Sequence, residues 1–170
     1  MSKTAEEFSK NKYIKVESLI PIELAKTCTL YAKAMEEHKF KDGDFLAPKS
    51  HSVKDDFLME SLLEMLRPKI EEVTGLSLSP TYSYYRVYKA GEKLIEHTDR
   101  NSCEISVTLC LGYDYKGKNF KWRISMRDTK VALEPGDGVI YRGIEVQPDD
   151  AARRTDAPRG DDAIEARAAA

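Results

Sequence analysis

The hydrophobic pattern of this chain changes its period at Pro80, and that change limits the folds open to it. Before Pro80 the apolar residues recur every three or four positions, which indicates helices. After Pro80 apolar and polar residues alternate, which indicates strands. Helices followed by a run of short strands predict the α+β class, with the strand-rich half forming a sandwich or a jelly roll.

The first half contains a predicted strand and two predicted helices. Residues 12–20 alternate and predict the strand, and Pro21 then begins a helix that ends near His38. We interpret residues 41–54 as a loop. A second helix is predicted over 55–74, with Gly75 as its stop. Pro68 predicts a kink or a break in it, because the proline ring clashes with the preceding turn.

Six strands are predicted after Pro80, and the run over residues 103–111 has the strongest strand pattern among them. The other strands are predicted over 81–88, 94–99, 121–126, 130–133 and 138–141. The turn at 134–138 contains a Pro-Gly-Asp sequence.

Composition bounds the class of protein. A chain of 170 residues is long enough for one domain with a proper core. The net charge is −2 and the charges are interspersed, so nothing indicates nucleic-acid binding. No apolar run approaches the roughly 18 residues of a membrane span, and the first residues lack a secretion signal. Three cysteines without metal-site spacing predict reduced thiols in a cytoplasmic protein, two of them in the core.

The last 23 residues differ from the rest in composition. Residues 148–170 contain eight Ala, five Asp and four Arg but no Lys, whereas residues 1–147 contain all seventeen Lys. We therefore predict one domain over 1–147 and an atypical tail over 148–170 that is disordered or foreign, arising for example from a frameshift. A genuine disordered tail is the alternative to a foreign one.

A His-x-Asp pair in the strand region is the candidate metal site. On a β-strand, positions i and i+2 face the same way, so His97 and Asp99 would present a nitrogen and an oxygen to one point. Two His and one carboxylate on one face of an octahedron hold Fe(II) in non-haem oxygenases. The pair alone is a weak signal, because such a tripeptide arises readily by chance.

The surrounding sequence strengthens this interpretation. Residues 84–99, with a strand tyrosine, a glycine turn and then His-x-Asp, resemble the segment around the first metal ligands of prolyl 4-hydroxylase-like 2-oxoglutarate/Fe(II) dioxygenases. Residues 134–143 resemble the turn and strand that lead to the distal His of that family. The resemblance covers roughly residues 12–147. It implies a double-stranded β-helix core, jelly-roll or cupin-like, with two or three N-terminal helices packed on one sheet.

The resemblance also implies the activity and the cofactors. Fe(II) and 2-oxoglutarate, with ascorbate as a further reductant, would support hydroxylation of a small-molecule or peptidyl substrate. Beyond the metal ligands it implies no further catalytic residue. Tyr88 and Thr108 are the candidates for 2-oxoglutarate, and the alternatives are a strand aromatic and a core threonine. Arg86 and Arg100 are candidates for an anionic substrate, and ordinary surface charges are the alternative.

The sequence departs from the family pattern after Gly143. A distal His is expected four or five residues later, but Pro148 stands about there, and no His follows His97. The arginine expected further on for 2-oxoglutarate would have to come from the tail, whose pattern places none of Arg153, Arg154 or Arg159. The two other histidines, His38 and His51, are both predicted to be solvent-exposed.

Three interpretations follow. The first is an active Fe(II)- and 2-oxoglutarate-dependent dioxygenase. The second is an impaired or inactive chain with the same fold, because two protein ligands hold iron more weakly than three. The third is a jelly-roll binding module without enzymatic activity, in which His97 and Asp99 are ordinary polar residues. The sequence leaves the substrate and the oligomeric state open.

Overall fold

A computed structural model describes residues 2–38, 50–89, 99–114, 122–146, 148–149 and 162–169. It contains three helices and nine strands in these ranges, which confirms the α+β class. The helices are α1 (Lys3–Asn11), α2 (Ile22–His38) and α3 (Phe57–Thr74). The strands are β1 (Tyr13–Val16), β2 (His51–Lys54), β3 (Tyr82–Tyr88), β4 (Ile105–Asp114), β5 (Trp122–Met126), β6 (Thr129–Leu133), β7 (Gly138–Arg142), β8 (Pro148–Asp149) and β9 (Asp162–Ala169).

The strands form two antiparallel sheets. The larger has the order β1-β7-β4-β9-β3-β2 and the smaller the order β6-β5-β8. Side chains alternate between the two faces of the larger sheet, so they pack into two separate cores. On one face, Tyr85, Val107 and Ile140 pack in a core with the helices. On the other face, Tyr88, Cys110 and others pack against residues of the smaller sheet.

Short local sequence signals set the two ends of α3. Asp56 caps α3 through its side chain, which accepts hydrogen bonds from the backbone N–H groups of Leu58 and Met59. Gly75 ends α3 with φ 72°, as predicted for a glycine stop. Pro68 lies inside α3 without splitting it. The flanking residues Leu66 and Ile70 are buried in the helix-side core, and this packing offsets the local cost of the proline.

Two predictions in the first half are wrong. Residues 51–54, interpreted as part of a loop, form β2, which pairs with β3. His51 is therefore buried rather than exposed, because the strand pairing covers it. His38 is exposed, as predicted. The sequence pattern also missed α1, whose only buried side chains are Ala5 and Phe8.

The end of the chain contributes a strand to the middle of the larger sheet. β9 pairs with β3 on one side and with β4 on the other. This differs from the disordered tail predicted for residues 148–170. The backbone groups on the facing edges of β3 and β4 need partners, and a segment of small residues provides them whatever its side-chain pattern. The domain boundary at residue 147 and the foreign origin of the tail stay predictions.

None of the helices in the described part of the chain combines the length and the apolar character needed to cross a membrane. All three cysteines are buried.

Candidate metal and co-substrate site

Asp99 lies where the segment before β4 meets the segment after β7. Its backbone N–H donates to the carbonyl oxygen of Gly143 at 3.1 Å. Its carboxylate Oδ2 accepts a hydrogen bond of 2.7 Å from the hydroxyl of Ser106, at the start of β4. Both the backbone and the carboxylate of Asp99 are therefore fixed by residues of the larger sheet and its adjoining turn.

Tyr82 and Cys103 lie next to this carboxylate. The buried thiol of Cys103 donates to the Tyr82 hydroxyl oxygen at 3.6 Å. Burial, that thiol and the Asp99 carboxylate together raise the pKa of Tyr82 well above its usual value. The Tyr82 hydroxyl therefore stays neutral at physiological pH.

The inner face of β3 carries a buried arginine between two tyrosines. The Arg86 guanidinium donates to the Tyr88 hydroxyl at 3.1 Å through Nη1 and to the Tyr84 hydroxyl at 2.7 Å through Nη2. Arg86 is 1% exposed and Tyr88 is 0% exposed. Arg86 is thus not a surface charge, and it brings a positive charge into the space between the two sheets. Arg100, by contrast, is exposed.

Among the residues that the structure describes, a buried polar atom on each sheet lacks a hydrogen-bond partner. They are Oγ1 of Thr108, on the inner face of β4, and Nε1 of Trp122, on β5 of the smaller sheet. Thr108 pairs in register with Val139, which belongs to the same core as Trp122. Native proteins rarely leave buried donors unpaired, since each costs about 1–3 kcal/mol. These two atoms therefore fit an interior that receives a polar ligand or water.

The backbone of β9 lies between the two strands that carry the residues described above. The backbone of Arg167 is in register with Thr108 on one side and with Tyr84 on the other. The sequence interpretation did not consider Arg167, because the tail shows no clear alternation. The three tail arginines that it did consider, Arg153, Arg154 and Arg159, lie outside the described residues.

The predicted site residues divide into those the structure places and those it does not describe. Tyr88, Thr108 and Arg86 share the interior between the sheets, and Asp99 lies by the start of β4. His97 lies outside the described residues, as does most of the strand predicted over 94–99. Where the chain is described, no three His, Cys, Asp or Glu side chains form a metal-binding group. Trp122 was missed, because only the packing of the two sheets places it in one core with Val139, the register partner of Thr108.

No protein-family model matches the sequence, and no curated protein matches it either. Solved structures, in contrast, match the fold over nearly its whole length. A prolyl 4-hydroxylase from Pseudomonas putida has a TM-score of 0.72 and 14% identity, over 98% of this chain and 95% of that chain. HygX from Streptomyces hygroscopicus, solved with nickel, 2-oxoglutarate and hygromycin B bound, has a TM-score of 0.66 and 10% identity, over 99% and 86%.

A third similar structure is a prolyl hydroxylase from Trichoplax adhaerens in complex with a peptide fragment of hypoxia-inducible factor. It has a TM-score of 0.70 and 10% identity, over 98% of this chain and 86% of that chain. The TM-scores of these three structures show that they share the fold of this chain. The chain therefore has the double-stranded β-helix fold of the 2-oxoglutarate/Fe(II)-dependent oxygenases, in its prolyl 4-hydroxylase-like form.

Proposed function

We propose that this protein is an Fe(II)- and 2-oxoglutarate-dependent dioxygenase that hydroxylates a small-molecule or peptidyl substrate. The observation that carries the proposal is the Asp99 carboxylate, fixed by Ser106 beside an interior that contains Arg86, Tyr88 and the unpartnered Thr108 hydroxyl. A fixed carboxylate is suited to hold a metal ion, and buried donors with a cation are suited to hold a keto-acid.

His97 and Asp99 are the residues that would hold the iron. When bound, Fe(II) and 2-oxoglutarate would activate O₂, of which one oxygen atom enters succinate as the keto-acid loses CO₂ and the other enters the hydroxylated C–H bond of the substrate. The protein orients the keto-acid and excludes water from it. Tyr88 and Thr108 would bind 2-oxoglutarate through their hydroxyl groups.

The positive charges have different proposed roles. Arg86 is buried and hydrogen-bonded to Tyr88, and its guanidinium would bind a carboxylate of 2-oxoglutarate. Arg100 is exposed, and this leaves it as the candidate for an anionic substrate. Ascorbate would serve as a reductant, and three cysteines, an odd number without metal-site spacing, favour a cytoplasmic protein.

A second candidate function is an impaired member of the same fold. It is favoured by one observation, the absence of any His after His97 in the 170 residues. With His97 and Asp99 alone, the metal would keep more water ligands and dissociate more readily. If residues 148–170 are foreign, restoring the original coding frame would restore a distal His and the full metal affinity.

The test is anaerobic titration with Fe(II) and 2-oxoglutarate, followed by measurement of succinate after O₂ is admitted. The proposal predicts stoichiometric binding of Fe(II) and release of succinate. Both should be lost in His97→Ala and Asp99→Ala. His38→Ala and Asp128→Ala are matched controls, because both residues are exposed. Iron binding without succinate would favour the impaired member. Unchanged metal content in His97→Ala would support a binding module without enzymatic activity.

A further inference from the structure

Ser106 stands out among the residues around Asp99. It is 3% exposed, and its hydroxyl lies 2.7 Å from Asp99 Oδ2. Its position in β4 is rigid, because its backbone is in register with Tyr141 on one side and with Ala169 on the other. The hydroxyl therefore approaches the carboxylate from a fixed direction.

Gly143 lies directly beside the Ser106–Asp99 hydrogen bond. A Cβ atom at Gly143 would lie 2.7 Å from the Ser106 hydroxyl, 2.8 Å from Asp99 Oδ2 and 2.5 Å from the carbonyl oxygen of Cys103. The same Gly143 accepts the Asp99 backbone N–H through its carbonyl oxygen. Only glycine at this position lets the two segments approach closely enough for the Ser106–Asp99 hydrogen bond.

We infer that Ser106, enclosed by Gly143, is a positioning residue that orients the Asp99 carboxylate for a metal ion. By holding Oδ2, the hydroxyl would restrict the orientations in which the carboxylate can meet a metal ion. This inference rests on the proposed metal site, and it assigns residues beyond the ligands themselves.

The orientation matters more here than in a site with three protein ligands. When His97 and Asp99 are the only protein ligands, Asp99 supplies half of them, and an undirected carboxylate would cost the site much of its affinity. Partners that orient metal ligands commonly contribute about 10–100-fold to metal affinity. We expect Ser106 to contribute within this range.

The experiment measures Mn²⁺ affinity of the full chain under anaerobic conditions, using the electron paramagnetic resonance signal of free Mn²⁺. Ser106→Ala should bind Mn²⁺ about 10-fold or more weakly than the unmodified chain. Ser106→Thr, which keeps the hydroxyl, should recover most of the affinity. Gly143→Ala should also weaken binding, because its methyl group displaces the hydrogen-bonded pair. Ser102→Ala is the matched control, since Ser102 is exposed and contacts the Cys103 thiol instead.

Thermal melts of each metal-free variant show whether it is folded, and only folded variants are compared. If Ser106→Thr does not fold, Gly143→Ala takes its place as the second variant. Equal Mn²⁺ affinity of Ser106→Ala and the unmodified chain would overturn the inference and leave the metal site standing. If Asp99→Ala binds Mn²⁺ as well as the unmodified chain, or if the unmodified chain binds none, the metal site itself fails and the role of Ser106 fails with it.

Discussion

The carboxylate of Asp137 accepts a hydrogen bond of 3.0 Å from the backbone N–H of Ser18, which lies 119 residues earlier in the chain. Its other oxygen accepts from the backbone N–H of Glu134 at 3.1 Å and forms an ion pair with Lys15 at 3.0 Å. The Pro-Gly-Asp turn thus ties the end of β1 to the start of β7. Its aspartate has a structural role in addition to its place in the sequence motif.

Asp137→Asn should lower the free energy of unfolding by about 1–3 kcal/mol at pH 7, because an amide cannot accept all three donors. Burial raises the pKa of Asp137, but the hydrogen bonds from Ser18 and Glu134 and the Lys15 charge outweigh it, so the pKa lies below its usual value. The stabilisation is therefore present above about pH 4 and is lost as the pH falls through the lowered pKa.

Urea unfolding at pH 7 and at pH 3 measures this effect. The difference between Asp137→Asn and the unmodified chain should shrink at pH 3. Asp128→Asn, in an exposed turn, should behave like the unmodified chain. A difference that is the same at both pH values would contradict the role of the carboxylate charge.

Gly136→Ala should destabilise the protein more than Gly75→Ala. Both glycines have positive φ, 96° at Gly136 and 72° at Gly75, which costs an alanine about 1–2 kcal/mol. Only at Gly136 is the new Cβ known to meet a backbone atom, the carbonyl oxygen of Ile20 at 2.8 Å. Thermal or urea unfolding measures the loss of stability in each variant. Equal losses in the two variants would show that the backbone at Ile20 moves away from the new methyl group at little cost.

Tyr31→Phe should remove a contribution to stability that is present at neutral pH and is lost at alkaline pH. The Tyr31 hydroxyl donates to Asp56 Oδ2 at 2.6 Å and joins α2 to the cap of α3. This hydrogen bond, with burial and the Asp56 charge, raises the pKa of Tyr31 to about 12 from 10.0. A raised tyrosine pKa stabilises the fold below pH 10, and this contribution is lost as the pH rises toward about 12.

The measurement is urea unfolding of the unmodified chain and Tyr31→Phe at pH 8 and pH 11. At pH 8 the variant should be less stable by about 1 kcal/mol, and at pH 11 the gap should narrow. Tyr13→Phe serves as the control for a tyrosine of similar burial. A gap that does not change with pH would contradict the predicted titration.

Thr108→Val should affect stability and co-substrate binding in opposite directions. The Thr108 hydroxyl is buried without a partner, so an isosteric apolar side chain should leave the metal-free protein as stable or up to about 1 kcal/mol more stable. If the hydroxyl donates to 2-oxoglutarate, the same variant should bind the keto-acid about 5–10-fold more weakly.

Calorimetric titration with 2-oxoglutarate in the presence of Mn²⁺, together with urea unfolding, measures both effects. Trp122→Phe, which keeps an aromatic ring but removes the unpartnered N–H, should also lower the affinity. Thr129→Val, at an exposed position of β6, is the control for the threonine change. A Thr108→Val variant that is less stable and binds 2-oxoglutarate normally would assign the hydroxyl a purely structural role.

Much of the fold follows from local signals. The stop at Gly75 and the strands β3 and β4 depend on residues close in sequence, so the pattern predicts them. The buried state of His51 was missed, because it depends on pairing with β3, more than 30 residues away. The helix α1 was missed because only two of its side chains reach the core.

The candidate site shows the same division. The His-x-Asp motif and the strand tyrosine are local patterns, and they predicted His97, Asp99 and Tyr88 as site residues. The Ser106–Asp99 hydrogen bond and the close approach of Gly143 depend on how the segment before β4 meets the turn after β7. The register of Arg167 with Thr108 depends on where β9 is inserted.

The sequence by itself determined the class of fold, the helices α2 and α3, most of the strands between Pro80 and Arg142, and the metal ligands to test, because periodicity and short motifs act within a few residues. Only the tertiary structure decided that Arg86 is buried beside Tyr88, that Trp122 shares the core next to Thr108, and that the last residues join the sheet. These outcomes depend on pairing between strands distant in the chain. In these regions, backbone hydrogen bonding and packing between the two sheets outweigh the local secondary-structure propensity of the sequence.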